Sequence, residues 1–121
     1  MTKILVAEDN EMNRKMLVRR LEALGFEVVI ALDGEDAVAQ VKATWPDVVL
    51  MDISMPRVDG WEARRRLADD PVTSYVKVIA LTAQAQASDR ARAEALGFDG
   101  FATKPVDLDA LVKTIGSLLG S

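Results

Sequence analysis

Short apolar runs recur along the chain, each followed by a stretch of helical periodicity, and this alternation constrains the fold more than any other feature. The runs are KILVA (3–7), EVVIAL (27–32), DVVLMD (47–52), VKVIAL (76–81) and the shorter GFAT (100–103). They are continuously apolar rather than alternating, as strands buried on both faces are, and that is a property of parallel sheets. Between them the apolar spacing turns helical. Leu17, Leu21 and Leu24 share one face of a helix over 13–24, and Val38 and Val41 point inward from a helix over about 34–43. The last helix, over about 108–119, places Leu108, Leu111, Val112, Ile115 and Leu119 on one side. Punctuation agrees with this reading. Gly25 terminates the first helix, Asp33 caps the second, and Pro46 blocks its continuation. Asp59-Gly60 opens a helix to about Ala68, and Asp69-Asp70-Pro71 closes it. Ser88 is the expected cap of a helix ending at Leu96-Gly97. Strand–helix units in this order predict an α/β fold, a parallel five-stranded sheet covered on both faces, with one domain over residues 1–121.

In such a sheet ligands gather at the carboxyl ends of the strands. Those ends carry Glu8-Asp9, Asp52, Thr82 and Lys104. Three carboxylates at one edge repel each other and raise each other's pKa, and a divalent cation removes that conflict. The chain has no cysteine and no histidine. Thiolate zinc sites, disulfides, thiol nucleophiles and histidine general bases are therefore excluded, and the chain cannot itself carry a phosphohistidine. Hard oxygen ligands without nitrogen or sulfur suit magnesium. A magnesium beside a carboxylate, with an ammonium opposite, is a phosphoryl site. Asp52 can attack as a carboxylate nucleophile, Thr82 can donate a hydrogen bond to a phosphoryl oxygen, and Lys104 supplies a point charge. Taken singly, each residue has a plainer reading. A strand-end Asp can form a turn, a strand-end Thr reflects β propensity, an edge Lys is solvated, and Glu8-Asp9-Asn10 can cap a helix. Their coincidence at four strand ends favours a site.

The formal net charge of −4 argues against a nucleic-acid surface. The clusters Arg19-Arg20 and Arg64-Arg65-Arg66 read first as solvated helix faces, with a partner-docking patch as the functional alternative. No apolar run approaches the roughly 20 residues of a membrane-spanning helix. Met1-Thr2-Lys3 leads straight into a strand without a signal peptide, so the cytoplasm is the expected location.

The motifs VAEDNE (6–11), VVLMDISMP (48–56), VDGWE (58–62), VIALTA (78–83) and FATKPV (101–106) make the whole chain resemble a response-regulator receiver domain. The resemblance implies a flavodoxin-like (βα)5 sandwich with sheet order 2-1-3-4-5. It also implies that Glu8 and Asp9 are the acidic pair holding magnesium, with Asp52 and the backbone carbonyl of Ser54 as further ligands. Asp52 becomes the phosphoacceptor, Thr82 the switch hydroxyl, Lys104 the site lysine and Phe101 the aromatic switch residue. Lys104-Pro105 is expected as a cis peptide. The implied partners are a histidine kinase or histidine phosphotransfer protein as donor and a downstream protein target, with no nucleic acid and no membrane. The start at Met1, the end just after the last helix and the EDNE and KP motifs resemble single-domain cell-cycle regulators of the DivK type. A receiver of a hybrid histidine kinase and a non-phosphorylated scaffold remain alternatives. A phosphatase of the haloacid-dehalogenase type would want an acid where Ser54 stands. A flavodoxin-like cofactor binder would want a small, hydroxyl-rich loop in place of Glu8-Asp9-Asn10.

Overall fold

A computed structural model of the chain describes residues 1–83 and 86–120. Its elements are β1 (Lys3–Ala7), α1 (Glu11–Ala23), β2 (Glu27–Ala31), α2 (Gly34–Thr44), β3 (Val48–Asp52), α3 (Gly60–Asp69), β4 (Lys77–Thr82), α4 (Ala87–Ala95), β5 (Gly100–Thr103) and α5 (Leu108–Leu118). The strands form one sheet of order β2-β1-β3-β4-β5. Every neighbouring pair is parallel. The flavodoxin-like α/β arrangement expected from the sequence is therefore present.

Alternate residues of the central strands feed two separate cores. Val49 and Met51 of β3 pack with Ala37, Val41, Trp61 and Leu67 on the α2–α3 side. Val48 and Leu50 pack with Leu17, Leu21, Leu111 and Ile115 on the α1–α5 side. Burial on both faces explains why the sequence of β3 shows no polar alternation: all five of its residues are buried, Asp52 included.

Most helix starts follow from short polar side chains. Asn10, Asp33, Asp59 and Asp107 each accept a hydrogen bond from the backbone N–H three residues on. Asn10 thus caps α1, which begins at Glu11 rather than near residue 13. The capping explanation for Glu8-Asp9-Asn10 is satisfied by Asn10 alone, which leaves both acids for another use. Ser88 is not the cap of α4. Gln86 occupies that position and makes no side-chain cap bond. Two residues assigned to inward faces also turn outward: Leu24 and Leu119 are exposed because each is the C-cap of its helix, beyond the last turn whose periodicity predicts burial. Among the described residues no helix is long and apolar enough to cross a membrane.

The β3–α3 connection folds back onto the strand end. Gly60 donates its N–H to the Ile53 carbonyl at 3.0 Å. A Cβ on Gly60 would lie 2.6 Å from the Asp52 carbonyl oxygen and 2.7 Å from the Ile53 Cα. Both are backbone atoms of the strand end, which cannot swing aside as a side chain would. Gly60→Ala is expected to cost about 2 kcal/mol of stability, in the range of overpacked cores. Urea unfolding followed by circular dichroism measures it, and an unchanged midpoint would show that the loop can relax.

Candidate functional site

Glu8 stands one residue past β1 and is 2% exposed; Asp52 ends β3 and is 3% exposed. The sheet order makes β1 and β3 neighbours, so their carboxyl ends bring two buried carboxylates together. Lys104 joins them. Its Nζ donates to Glu8 Oε1 at 2.6 Å and to Asp52 Oδ2 at 2.8 Å. Lys104 arrives from just beyond β5, where its backbone N–H donates to the Thr82 carbonyl at 2.8 Å. The Lys104-Pro105 peptide is cis, as expected.

The other oxygen of each buried carboxylate also accepts a hydrogen bond. Asp52 Oδ1 accepts from the Ser54 N–H at 3.0 Å, which draws Ser54 to the edge of the site. Glu8 Oε2 accepts from the Asn10 N–H at 3.3 Å. Arg14 Nη1 donates to the Glu8 and Asp9 carbonyls at 3.1 and 3.4 Å, clamping the acidic turn from the first turns of α1. Asp9 is exposed beside the buried pair. One carboxylate oxygen each from Glu8, Asp9 and Asp52 lie within 4.8 Å of one another. That donor set, all hard oxygen with one acid facing solvent, fits magnesium. Thr82 closes β4 one residue beyond Leu81, the register partner of Asp52. Phe101 lies two register positions away on β5, opposite Ala80.

Electrostatics follow from this burial. Desolvation pushes Glu8 up to about 7, helped by its hydrogen bond to Asp52 and only partly opposed by Lys104. Desolvation lowers the Lys104 ammonium, but hydrogen bonds to Asp52 and Glu8 outweigh it, so its pKa is raised overall.

Three arginine contacts on the flank of the site were not read from the sequence. Arg90 of α4 lies 4.7 Å from the centroid of the Phe101 ring. Arg92 lies 4.4 Å from that of Trp61, which itself meets Phe98 edge-on at 5.8 Å. Arg64 of α3 donates to the Gly97 carbonyl through Nε at 3.1 Å and Nη2 at 2.7 Å. Arg64 is therefore 8% exposed, not part of a solvated face.

Comparison with known proteins agrees with this geometry. The response regulator receiver domain family matches residues 4–116. Protein PilH of Pseudomonas aeruginosa is 40% identical over 119 residues, 98% of each chain. The polar-differentiation response regulator DivK of Brucella ovis is 36% identical over 121 residues, 99% of this chain and 98% of its own. Among solved structures, the receiver domain of sensor histidine kinase PA1611 from Pseudomonas aeruginosa superposes with a TM-score of 0.90. It is 32% identical, covers 99% of this chain and 98% of its own, and holds a magnesium ion in its active-site cleft. The chain belongs to the response regulator receiver domain family. It is a phosphoryl-accepting signalling switch of the two-component type, and proteins of this family bind magnesium in an acidic pocket.

The raised Glu8 carboxyl has a stability signature. Its pKa is 4.5 when unperturbed and about 7 in the folded, metal-free chain. Between these values the folded state holds the proton and the unfolded state does not. The Glu8 contribution is thus complete below 4.5 and is lost as pH rises through 7, with a slope of at most about 1.4 kcal/mol per pH unit. Urea titrations without magnesium should show stability falling across this window, and Glu8→Gln should flatten the fall. An unchanged profile in that variant would place the titrating group elsewhere.

Proposed function

We propose that Asp52 is the phosphoacceptor and takes its phosphoryl group from the phosphohistidine of a histidine kinase or histidine phosphotransfer protein. The observation that carries this reading is the Lys104 ammonium held on both Asp52 and Glu8. An Asp52 oxygen attacks phosphorus, the phosphorus–nitrogen bond breaks, and the nitrogen electron pair returns to the donor imidazole. The product is an acyl phosphate. Lys104 moves from carboxylate oxygens to phosphoryl oxygens, and the Thr82 hydroxyl donates to the same group. Glu8, Asp9, Asp52 and the Ser54 carbonyl are the residues that would hold magnesium. The ion, when bound, supplies Lewis-acid neutralisation of the phosphoryl oxygens. The chain thus catalyses its own phosphorylation and slow dephosphorylation, yet works as a switch rather than a turnover enzyme.

Output follows from the same edge. Thr82 is drawn toward the phosphoryl group, Phe101 rotates into the space it leaves, and the surface of α4, β5 and α5 changes for a downstream protein partner. The exposed Asp109 and Lys113 of α5 lie on that face. Matches with PilH and DivK along nearly the whole of each chain support reading residues 1–121 as one receiver domain. A cytoplasmic site of action, away from nucleic acid and membrane, suits that role.

The direct test is intact-mass spectrometry after incubation with magnesium and a small acyl-phosphate donor. The wild-type chain should gain one phosphoryl mass and Asp52→Asn none, with its circular dichroism unchanged. A phosphoryl gain in that variant would move the acceptor elsewhere, and no gain in the wild type would favour the scaffold alternative. Asp9→Asn should weaken magnesium binding at least about tenfold in a calorimetric titration. Thr82→Ala should still accept phosphoryl, but its amide-shift changes should no longer reach Phe101 and α4.

A further inference from the structure

Two of the chain's largest side chains stand on the surface at the end of the sheet away from the acidic site. Trp45 is 58% exposed and Tyr75 43% exposed. Their rings stack with centroids 5.4 Å apart and 26° between planes. Trp45 lies between α2 and β3, and Tyr75 between α3 and β4. Asp52 and Thr82 close the far ends of those strands, about 16 Å away at the usual rise of a strand.

The pair is held in place. The Tyr75 hydroxyl donates to the Pro46 carbonyl at 3.0 Å, which anchors its ring. Trp45 caps α2 at φ 54°, ψ 58°, the left-handed conformation normally given to glycine or asparagine. A bulky aromatic residue thus sits in a backbone conformation it disfavours, with most of its surface in water. Core packing does not account for it.

The charge beside the rings names the occupant. Asp47 is exposed, two residues from Trp45. Its charge adds to burial in raising the Tyr75 pKa. It accepts the Lys3 backbone N–H at 2.8 Å. Among the described residues no salt bridge reaches it: Lys3 pairs with Glu27 at 3.7 Å and Lys42 with Asp70 at 3.2 Å. The Lys3 ammonium is held on the Thr44 carbonyl at 2.7 Å, one residue from Trp45, yet a carboxylate that makes no salt bridge beside stacked aromatic faces still favours a cation over an anion. Arginine suits best, because its guanidinium is planar, weakly hydrated, stacks on rings and pairs with carboxylates.

We propose that Trp45, Tyr75 and Asp47 form a docking platform for an arginine side chain presented by an extended segment of a partner protein. The strands separate this platform from the phosphoryl site and leave the α4–β5–α5 face clear. Docking is therefore independent of phosphorylation and can tether the receiver while its other surfaces exchange partners.

The test is an NMR titration of the full chain with a capped Gly-Arg-Gly peptide, against the same peptide with neutral citrulline. Saturable shifts of the Trp45 indole N–H and of Tyr75 are expected, at least about threefold weaker with citrulline. Asp47→Asn should show the same loss, and a phosphate-mimicking metal fluoride should leave the affinity unchanged. Trp45→Gly should abolish the shifts at Tyr75 yet melt no lower than the parent, since glycine suits that backbone. Absence of saturation, equal response to citrulline, or dependence on the fluoride overturns the proposal. So does a Trp45→Gly protein that melts well below the parent, because the rings would then be a structural lid. Trp45-dependent dimerisation in sedimentation experiments overturns it in favour of a second copy of this chain.

Discussion

One ammonium group stands between two buried carboxylates, and the rest of the fold is arranged so that it can. Glu8 and Asp52 meet because β1 and β3 are adjacent in the sheet. Lys104 reaches them from beyond β5 because the Thr82–Thr103 register leaves it just past the end of β4. An isolated buried carboxylate costs several kcal/mol, and removing one partner of a buried pair typically costs about 3–5 kcal/mol. With two acids and one ammonium the metal-free site is still short of positive charge, and Glu8 compensates by keeping its proton up to about pH 7. A cation bound there would discharge that proton and relieve the same deficit. In the proposed function a bound cation would have to meet this deficit before a phosphoryl group adds further negative charge at Asp52. The polar cluster is thus a costly feature for stability, which the proposed phosphoryl-accepting role would account for.

Much of this was legible in the sequence because each component depends on local pattern. The five strands are apolar runs, and Glu8, Asp9, Asp52, Thr82 and Lys104 each stand at or just past the end of one. Once the alternation establishes a parallel sheet, the carboxyl edge collects Glu8, Asp9, Asp52, Thr82 and Lys104 with no further information. Most helix starts were legible for the same reason, since Asp33 and Asp59 act within three residues. The cap of α4 was not. Gln86 contributes no side-chain bond, so no local signal distinguishes it from Ser88.

The misses are mainly tertiary. Arg64 and Gly97 are 33 residues apart, and nothing near either announces their pairing. Arg64-Arg65-Arg66 reads as a uniform basic run, yet Arg65 and Arg66 pair on the surface with Glu62 while Arg64 turns inward. Arg90 and Arg92 lie over the rings of Phe101 and Trp61, residues distant from them in sequence or on another element, and no local pattern marks these contacts. Trp45 is hidden for another reason: Pro46 marks the end of α2 clearly, but not that the residue before it takes a positive φ with its ring in solvent.

These tertiary contacts bear on which element can move in the proposed switch. Asn or Asp side chains cap α1, α2, α3 and α5, whereas α4 starts without such a bond. Only Ala93 of α4 is buried. The helix is held instead by side chains reaching across its flanks: Arg92 on Trp61, Arg90 on Phe101 and Arg64 on the Gly97 turn. Cation–π contacts at exposed positions contribute about 0.5–1 kcal/mol each. Attachments of that size can be outweighed by one phosphoryl group, whose roughly two negative charges act beside Thr82 and, through it, on Phe101. A helix fixed by a deep apolar stripe, as α5 is through Leu111 and Ile115, could not be displaced so readily. The lightly attached helix also borders the Phe101 side of the site and adds one buried residue, Ala93, to the α2–α3 core, so in the proposed switch a small movement at the phosphoryl edge would reach the surface with little repacking.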